Sequence, residues 1–101
     1  MIYLVVTVTT KDDKMQDWIN AFKKVQPLVL KEDGCYVYRI HRPIDRPNAP
    51  ADPNKVILLE QWESLDHLTA HLQQPHMKIY FAEVKDLTAG PSNVEVLGEE
   101  Q

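Results

Sequence analysis

Two segments, Ile2 to Thr9 and Lys55 to Glu63, alternate with a period of two and are apolar on both sides of the alternation. In the first, Ile2, Leu4, Val6 and Val8 point one way, and Tyr3, Val5, Thr7 and Thr9 the other. In the second, Val56, Leu58, Glu60 and Trp62 oppose Ile57 and Leu59. Successive side chains of a strand leave opposite faces, so a sheet built on these two strands needs cover on both faces. One layer of helices covers only one. A second copy of the chain is the economical cover for the other, and a homodimer joined through the sheet is expected.

Elsewhere the period changes. Asp12 and Asp13 sit where a helix start favours negative charge, and Met15, Trp18, Ile19, Phe22 and Val25 follow as a helical stripe. Pro27 should kink or loosen the last turn of that helix, and Gly34 should stop it. Cys35 to His41 alternates again, with Tyr36, Tyr38 and Ile40 on one face and Cys35, Val37, Arg39 and His41 on the other. Pro43, Pro47, Pro50 and Pro53 exclude regular structure from the next stretch, which reads as a stiff connecting loop. After Lys55 to Glu63, Ser64 is a good N-cap for a helix that buries Leu65, Leu68 and Leu72. Pro75 suits the first turn of a further helix with the stripe Met77, Tyr80, Phe81, Val84 and Leu87. Gly90-Pro91 breaks it, Asn93 to Leu97 alternates as a last strand, and Gly98 to Gln101 reads as a frayed acidic tail. The order β-α-β-β-α-β, with the second helix split at Pro75, is the ferredoxin-like α+β pattern with a four-stranded antiparallel sheet.

A chain of 101 residues is one domain, spanning residues 1–101. Its net charge of −4 argues against nucleic acid, whose binders need a basic footprint. No apolar run is long enough for a membrane span, and Met1-Ile2-Tyr3 opens into a strand without a basic leader. The single cysteine, Cys35, makes no internal disulfide, which fits a reducing cytoplasm. It reads as a small packed residue.

The chemistry concentrates between Glu60 and Lys78. Glu60 stands midway along an apolar strand, so it either faces a pocket or pairs with a cation such as Arg39 or Lys78. Trp62, two residues on, shares its face, as core filling or as a cavity wall. His67 and His71 lie one turn apart beside the leucine stripe. The pair lacks a third ligand, so no metal is expected. His71 is a candidate base, and His76 follows Pro75 at a helix N-terminus, where the macrodipole favours the neutral imidazole. Packing or capping is the alternative for either. Tyr38 is a candidate donor to a ring oxygen or a core residue with a wet tip. Gly34, Gly90 and Gly98 are too scattered for a dinucleotide or flavin fingerprint, and no cofactor is expected.

Two runs in this sequence, Val29-Leu-Lys-Glu-Asp-Gly34-Cys35 and Leu59-Glu-Gln-Trp-Glu-Ser-Leu-Asp-His67-Leu-Thr-Ala-His71-Leu-Gln-Gln-Pro75-His76-Met-Lys78, resemble the antibiotic-biosynthesis monooxygenase superfamily. The nearest likeness is to its small bacterial quinol monooxygenases, over nearly the whole chain. The resemblance implies a ferredoxin-like subunit in a dimeric α/β barrel-like assembly. It also implies oxidation of a hydroquinone-like or polyphenolic substrate by molecular oxygen without a cofactor. On this reading His71, His76 and Glu60 are catalytic, while Trp62, Tyr38, His67 and Phe81 contact the small aromatic substrate. Haem-degrading members carry an asparagine on the first strand, a helical tryptophan and a haem-binding histidine. Here Val6 and Thr7, His71 and Phe81 stand at those places, which departs from haem chemistry. An isomerase of a small phosphorylated dione shares the His71, Pro75-His76 and Thr88-Ala-Gly-Pro91 features, with Arg39, Lys78 and Lys85 as candidate phosphate partners. A non-catalytic dimeric ligand-binding domain is a further alternative.

Overall fold

The alternating segments become the two central strands of one sheet. The computed structural model describes residues 1–100, with Gln101 and its part in the expected tail outside them. In chain order the elements are β1 (Ile2–Thr9), α1 (Met15–Leu30), β2 (Cys35–His41), β3 (Lys55–Trp62), α2 (Leu65–Leu72), α3 (Pro75–Val84) and β4 (Asn93–Gly98). The strand order is β2-β3-β1-β4, with every neighbouring pair antiparallel. β3 thus lies between β1 and β2, the split β-α-β arrangement of a ferredoxin-like fold. Gly98 belongs to β4, and Glu99 beyond it accepts a hydrogen bond from the Tyr3 hydroxyl at 2.8 Å.

The helices cover one face. Leu4, Val6 and Val8 of β1 and Val56, Leu58 and Trp62 of β3 are buried against Trp18, Phe22, Val25 and Val29 of α1 and Met77, Tyr80 and Val84 of α3. An aromatic ladder ties α1 to β2: Trp18 stacks on Phe22 at 5.7 Å, and Phe22 on Tyr38 at 5.2 Å. On the opposite face Tyr3, Val5, Thr7 and Ile57 are half-buried, and Leu59 is exposed. No element of the described chain lies over them.

Three local expectations are corrected. α1 starts at Met15, with Lys14 at the N-cap position and no side-chain cap, so Asp12 and Asp13 form the preceding turn and Asp17 is the acid of the first turn. The helix runs through Pro27 to Leu30, and the Gln26 amide donates to the Tyr38 carbonyl at 2.9 Å, tethering this stretch to β2. In β2 a bulge between Cys35 and Val37 shifts the register. Cys35 therefore packs towards the core beside Trp62, while Tyr36 is exposed and donates to Glu63 at 3.1 Å. In α2 only Leu68 and His71 are buried; Leu65 and Leu72 are exposed. The helix is rotated so that an imidazole, not a leucine, occupies its second inward position.

Gly34 fixes the approach of this last helix. Its φ of +80° is costly for any residue with a Cβ, and a Cβ there would meet the His67 ring. Its carbonyl accepts the Glu63 amide at 2.8 Å, so the α1–β2 turn is bonded to the end of β3.

Candidate active site

Glu60 points from β3 towards the helices, with Leu4 and Tyr38 as its cross-strand neighbours. The indole N–H of Trp62 donates to Glu60 Oε1 at 2.9 Å. No Lys, Arg or His lies within salt-bridge distance of Glu60 among the described residues. Arg39 is exposed on the other face, and Lys78 is exposed on α3. Burial pushes the Glu60 carboxyl up to about 7, against the Trp62 hydrogen bond, with the charge of Glu32 pushing the same way as burial.

Ser64 starts α2 by accepting the His67 backbone N–H, and the helix then carries His71 back over β3. The His71 ring lies 4.5 Å from that of Trp62 and meets Tyr38 edge-on at 5.6 Å. Its Nδ1 lies 2.9 and 3.1 Å from the two oxygens of Glu32. His76 reaches the same carboxylate through Nε2, at 2.7 Å from Oε2. A carboxylate only accepts, so both ring nitrogens donate to it. A neutral His71 therefore carries its proton on Nδ1 and keeps the lone pair on Nε2. Every fully buried side-chain nitrogen or oxygen among the described residues has a partner, and Nε2 has none, so it is this atom that meets open space. Burial lowers the His71 pKa, with Glu32 pulling the other way and His76 adding to the lowering.

The open space is a cavity of about 400 Å³ between sheet and helices. Glu60, His71 and Tyr38 lie among Leu4, Val6, Leu58, Leu68, Met77 and Tyr80. Phe81, Lys85, Thr88 and the Gly90-Pro91-Ser92 turn complete the lining, with Val94 and Val96 of β4. The two valines belong to the helix-facing side of β4 yet remain exposed, because no helix covers this strand; here the cavity opens. Burial raises the Tyr38 and Tyr80 hydroxyls above the ordinary phenol value, so both stay protonated as donors. A second hollow of about 440 Å³ runs along the outside of α2, lined by Lys31, Asp33, Asp66, His67 and His76. Leu28, Glu32, Ala70 and Gln74 complete its lining, so it is a surface groove that mixes charged and apolar groups.

The fold thus brings Glu60, His71, Tyr38 and Phe81 to one cavity. Trp62 is fully buried and backs Glu60 and His71 without reaching the lining. His76 joins only through Glu32. His67 stands apart: its Nδ1 lies 2.6 Å from Ser64 Oγ, and its Nε2 is 3.4 Å from Asp33 and 3.3 Å from Glu63. Of the candidate phosphate partners only Lys85 lines the cavity, at its mouth. Burial pushes the Cys35 thiol up to about 11, an inert packed residue. Glu32 was invisible to sequence reasoning. It lies in a Lys-Glu-Asp-Gly turn that reads as a helix stop, and only the docking of α2 and α3 gives it two histidines.

Residues 1–83 match the family model described as antibiotic biosynthesis monooxygenase. The chain is 36% identical over 89 residues to the probable quinol monooxygenase YgiN of Escherichia coli K12, covering 84% of this chain and 86% of that protein. Among solved structures it is similar to a conserved protein of Methanosarcina mazei Go1, with a TM-score of 0.88 at 22% identity, covering 98% of this chain and 92% of the other. It is also similar to Rv0793 of Mycobacterium tuberculosis, with a TM-score of 0.85 at 22% identity, over 99% and 95% of the two chains. At such identities the structural likeness speaks for the fold alone.

Proposed function

The chain belongs to the antibiotic biosynthesis monooxygenase family, and we propose that it oxidises a hydroquinone-like or polyphenolic small molecule with molecular oxygen, without a cofactor, as a cytoplasmic homodimer. The observation that carries this reading is the apolar cavity holding a neutral imidazole nitrogen and a buried carboxyl but no paired cation. The quinol name of the 36%-identical relative supports the same substrate class.

Direct reaction of triplet oxygen with a closed-shell molecule is spin-forbidden and slow. A phenolate avoids this by giving up one electron first. His71 Nε2 takes the phenolic proton, and Glu60 and Tyr38 hold the ring oxygens. The phenolate passes one electron to oxygen, forming a semiquinone and superoxide. Their recombination at a ring carbon, with the proton returned from His71, gives a hydroperoxide, which loses water to leave a new carbonyl. Hydroquinone and O₂ thus become a hydroxyquinone and water, with all four electrons that reduce O₂ coming from the substrate. An apolar lining matters because bulk water would solvate the phenolate and lower its reducing power.

An oxygen electrode tests this with metal-free protein against menadiol, other hydroquinones and anthrones, with a phosphorylated dione in parallel. The expected result is oxygen uptake with a hydroquinone that survives exhaustive chelation. His71→Ala should lower kcat by roughly 10²–10⁴-fold, the usual share of a positioned base, with a smaller effect on KM. A visible flavin or haem spectrum in active protein, loss of activity on chelation, or full turnover by His71→Ala counts against the reading.

A further inference from the structure

Glu32 is one carboxylate that serves two histidines from opposite sides. Its side chain is 8% exposed, and its Oε2 accepts from His71 Nδ1 at 2.9 Å and from His76 Nε2 at 2.7 Å. His71 lines the inner cavity, whereas His76 lines the outer groove with its side chain 20% exposed. The carboxylate therefore stands between the inner cavity and the outer groove. We propose that Glu32 is the positioning residue of this site, fixing His71 in the tautomer whose Nε2 faces the cavity, and that His76 sets the strength of that hold from the solvent side. The proposal rests on the reading of His71 as the base of the cavity.

The physics is a competition for one carboxylate: His71 Nδ1 reaches both of its oxygens, and His76 Nε2 shares Oε2 with it. While His76 is neutral, the Glu32 charge is available to the imidazolium that forms on His71 as it takes a proton. Once His76 is protonated, its charge-assisted bond draws Oε2 outward, and its positive charge opposes a second one on His71. Acid on the groove side thus weakens the base on the cavity side. Other groups bear on the pair. Asp33, Asp66, Lys31 and His67 are the charged and titratable groups that share the groove with His76. From the sheet, Glu60, Cys35 and Tyr38 feel the Glu32 charge.

Long-range proton–nitrogen NMR of the histidine side chains in the ligand-free chain reads tautomer and titration directly. Wild-type His71 should carry its proton on Nδ1. Glu32→Gln should lower the His71 titration midpoint and His76→Gln should raise it, each by roughly half a pH unit or more. With menadiol and oxygen, Glu32→Gln should lower kcat on the order of 10²-fold and leave KM within about threefold, which loosened packing alone does not produce. A wild-type His71 protonated on Nε2, or midpoints that stay put or move the other way, overturns the proposal. If Glu32→Gln does not fold, the wild-type tautomer and His76→Gln still decide it. The spectra need no substrate. Both shifts without menadiol oxidation therefore support the role of Glu32 and overturn the quinol reading alone.

Discussion

Glu60 is held by an indole N–H rather than a cation, and that sets how the protein responds to pH. Its folded-state pKa of about 7 lies above the ordinary 4.5, so the native state binds the extra proton. Its contribution is harmless below 4.5 and turns into a growing cost as the pH rises through 7. Glu60→Gln keeps an acceptor for Trp62 and removes this cost. It should stabilise the protein at pH 8 by up to about 3 kcal/mol, less to the extent that water enters the cavity, and by little at pH 4. Urea denaturation at the two pH values checks this, and an equal effect at both would place Glu60 in a wet, unstrained setting. His71 has the opposite sign: its lowered pKa withholds stability as the pH falls below 6.5. The sharing of a face by Glu60 and Trp62 was legible from their spacing of two. The partnership of His71 with Glu32, 39 positions earlier, was not, because no local period links a turn to a distant helix.

At the scale of elements, period and capping signals located every strand and helix. The misreadings came from rotations and bulges that long-range packing imposes. α2 could bury its leucines or its histidine, and the carboxylate waiting at the α1–β2 turn makes the histidine the better choice. Turning the leucines inward would take His71 from Glu32 and leave this buried carboxylate with His76 as its one histidine partner. The bulge at Cys35–Val37 likewise answers two demands, since the Gly34 turn must meet Glu63 while Tyr38 must still face inward. Gly34 is the element-level test. Gly34→Ala forces a Cβ into a left-handed backbone and against His67, and should destabilise by at least about 1–2 kcal/mol. A loss under roughly half a kcal/mol in thermal or urea unfolding would mean the turn relaxes freely. The well-packed reference is Phe22→Ala, at about 3–5 kcal/mol.

At the scale of the molecule, the uncovered sheet face carries Val5, Ile57 and Leu59 on its two central strands, and an apolar face of this kind is expected to meet a second copy. Sedimentation should therefore find a dimer at micromolar concentration, and Leu59→Lys should shift it towards monomer. A stable wild-type monomer would leave this face without a purpose. Taken alone, the sequence determined the strand and helix order, the apolar character of both sides of the two central strands, the shared face of Glu60 and Trp62 and the family likeness. Each is written in short-range periodicity or in a contiguous run of residues. The tertiary structure decided that His71 faces inward, that Glu32 joins it to His76, that His67 turns to the outer groove, and that β4 leaves the cavity open. These depend on how elements distant in the chain are rotated and docked. That choice is made by the balance of burial against unpaired charge over the whole core, which no local window of residues contains.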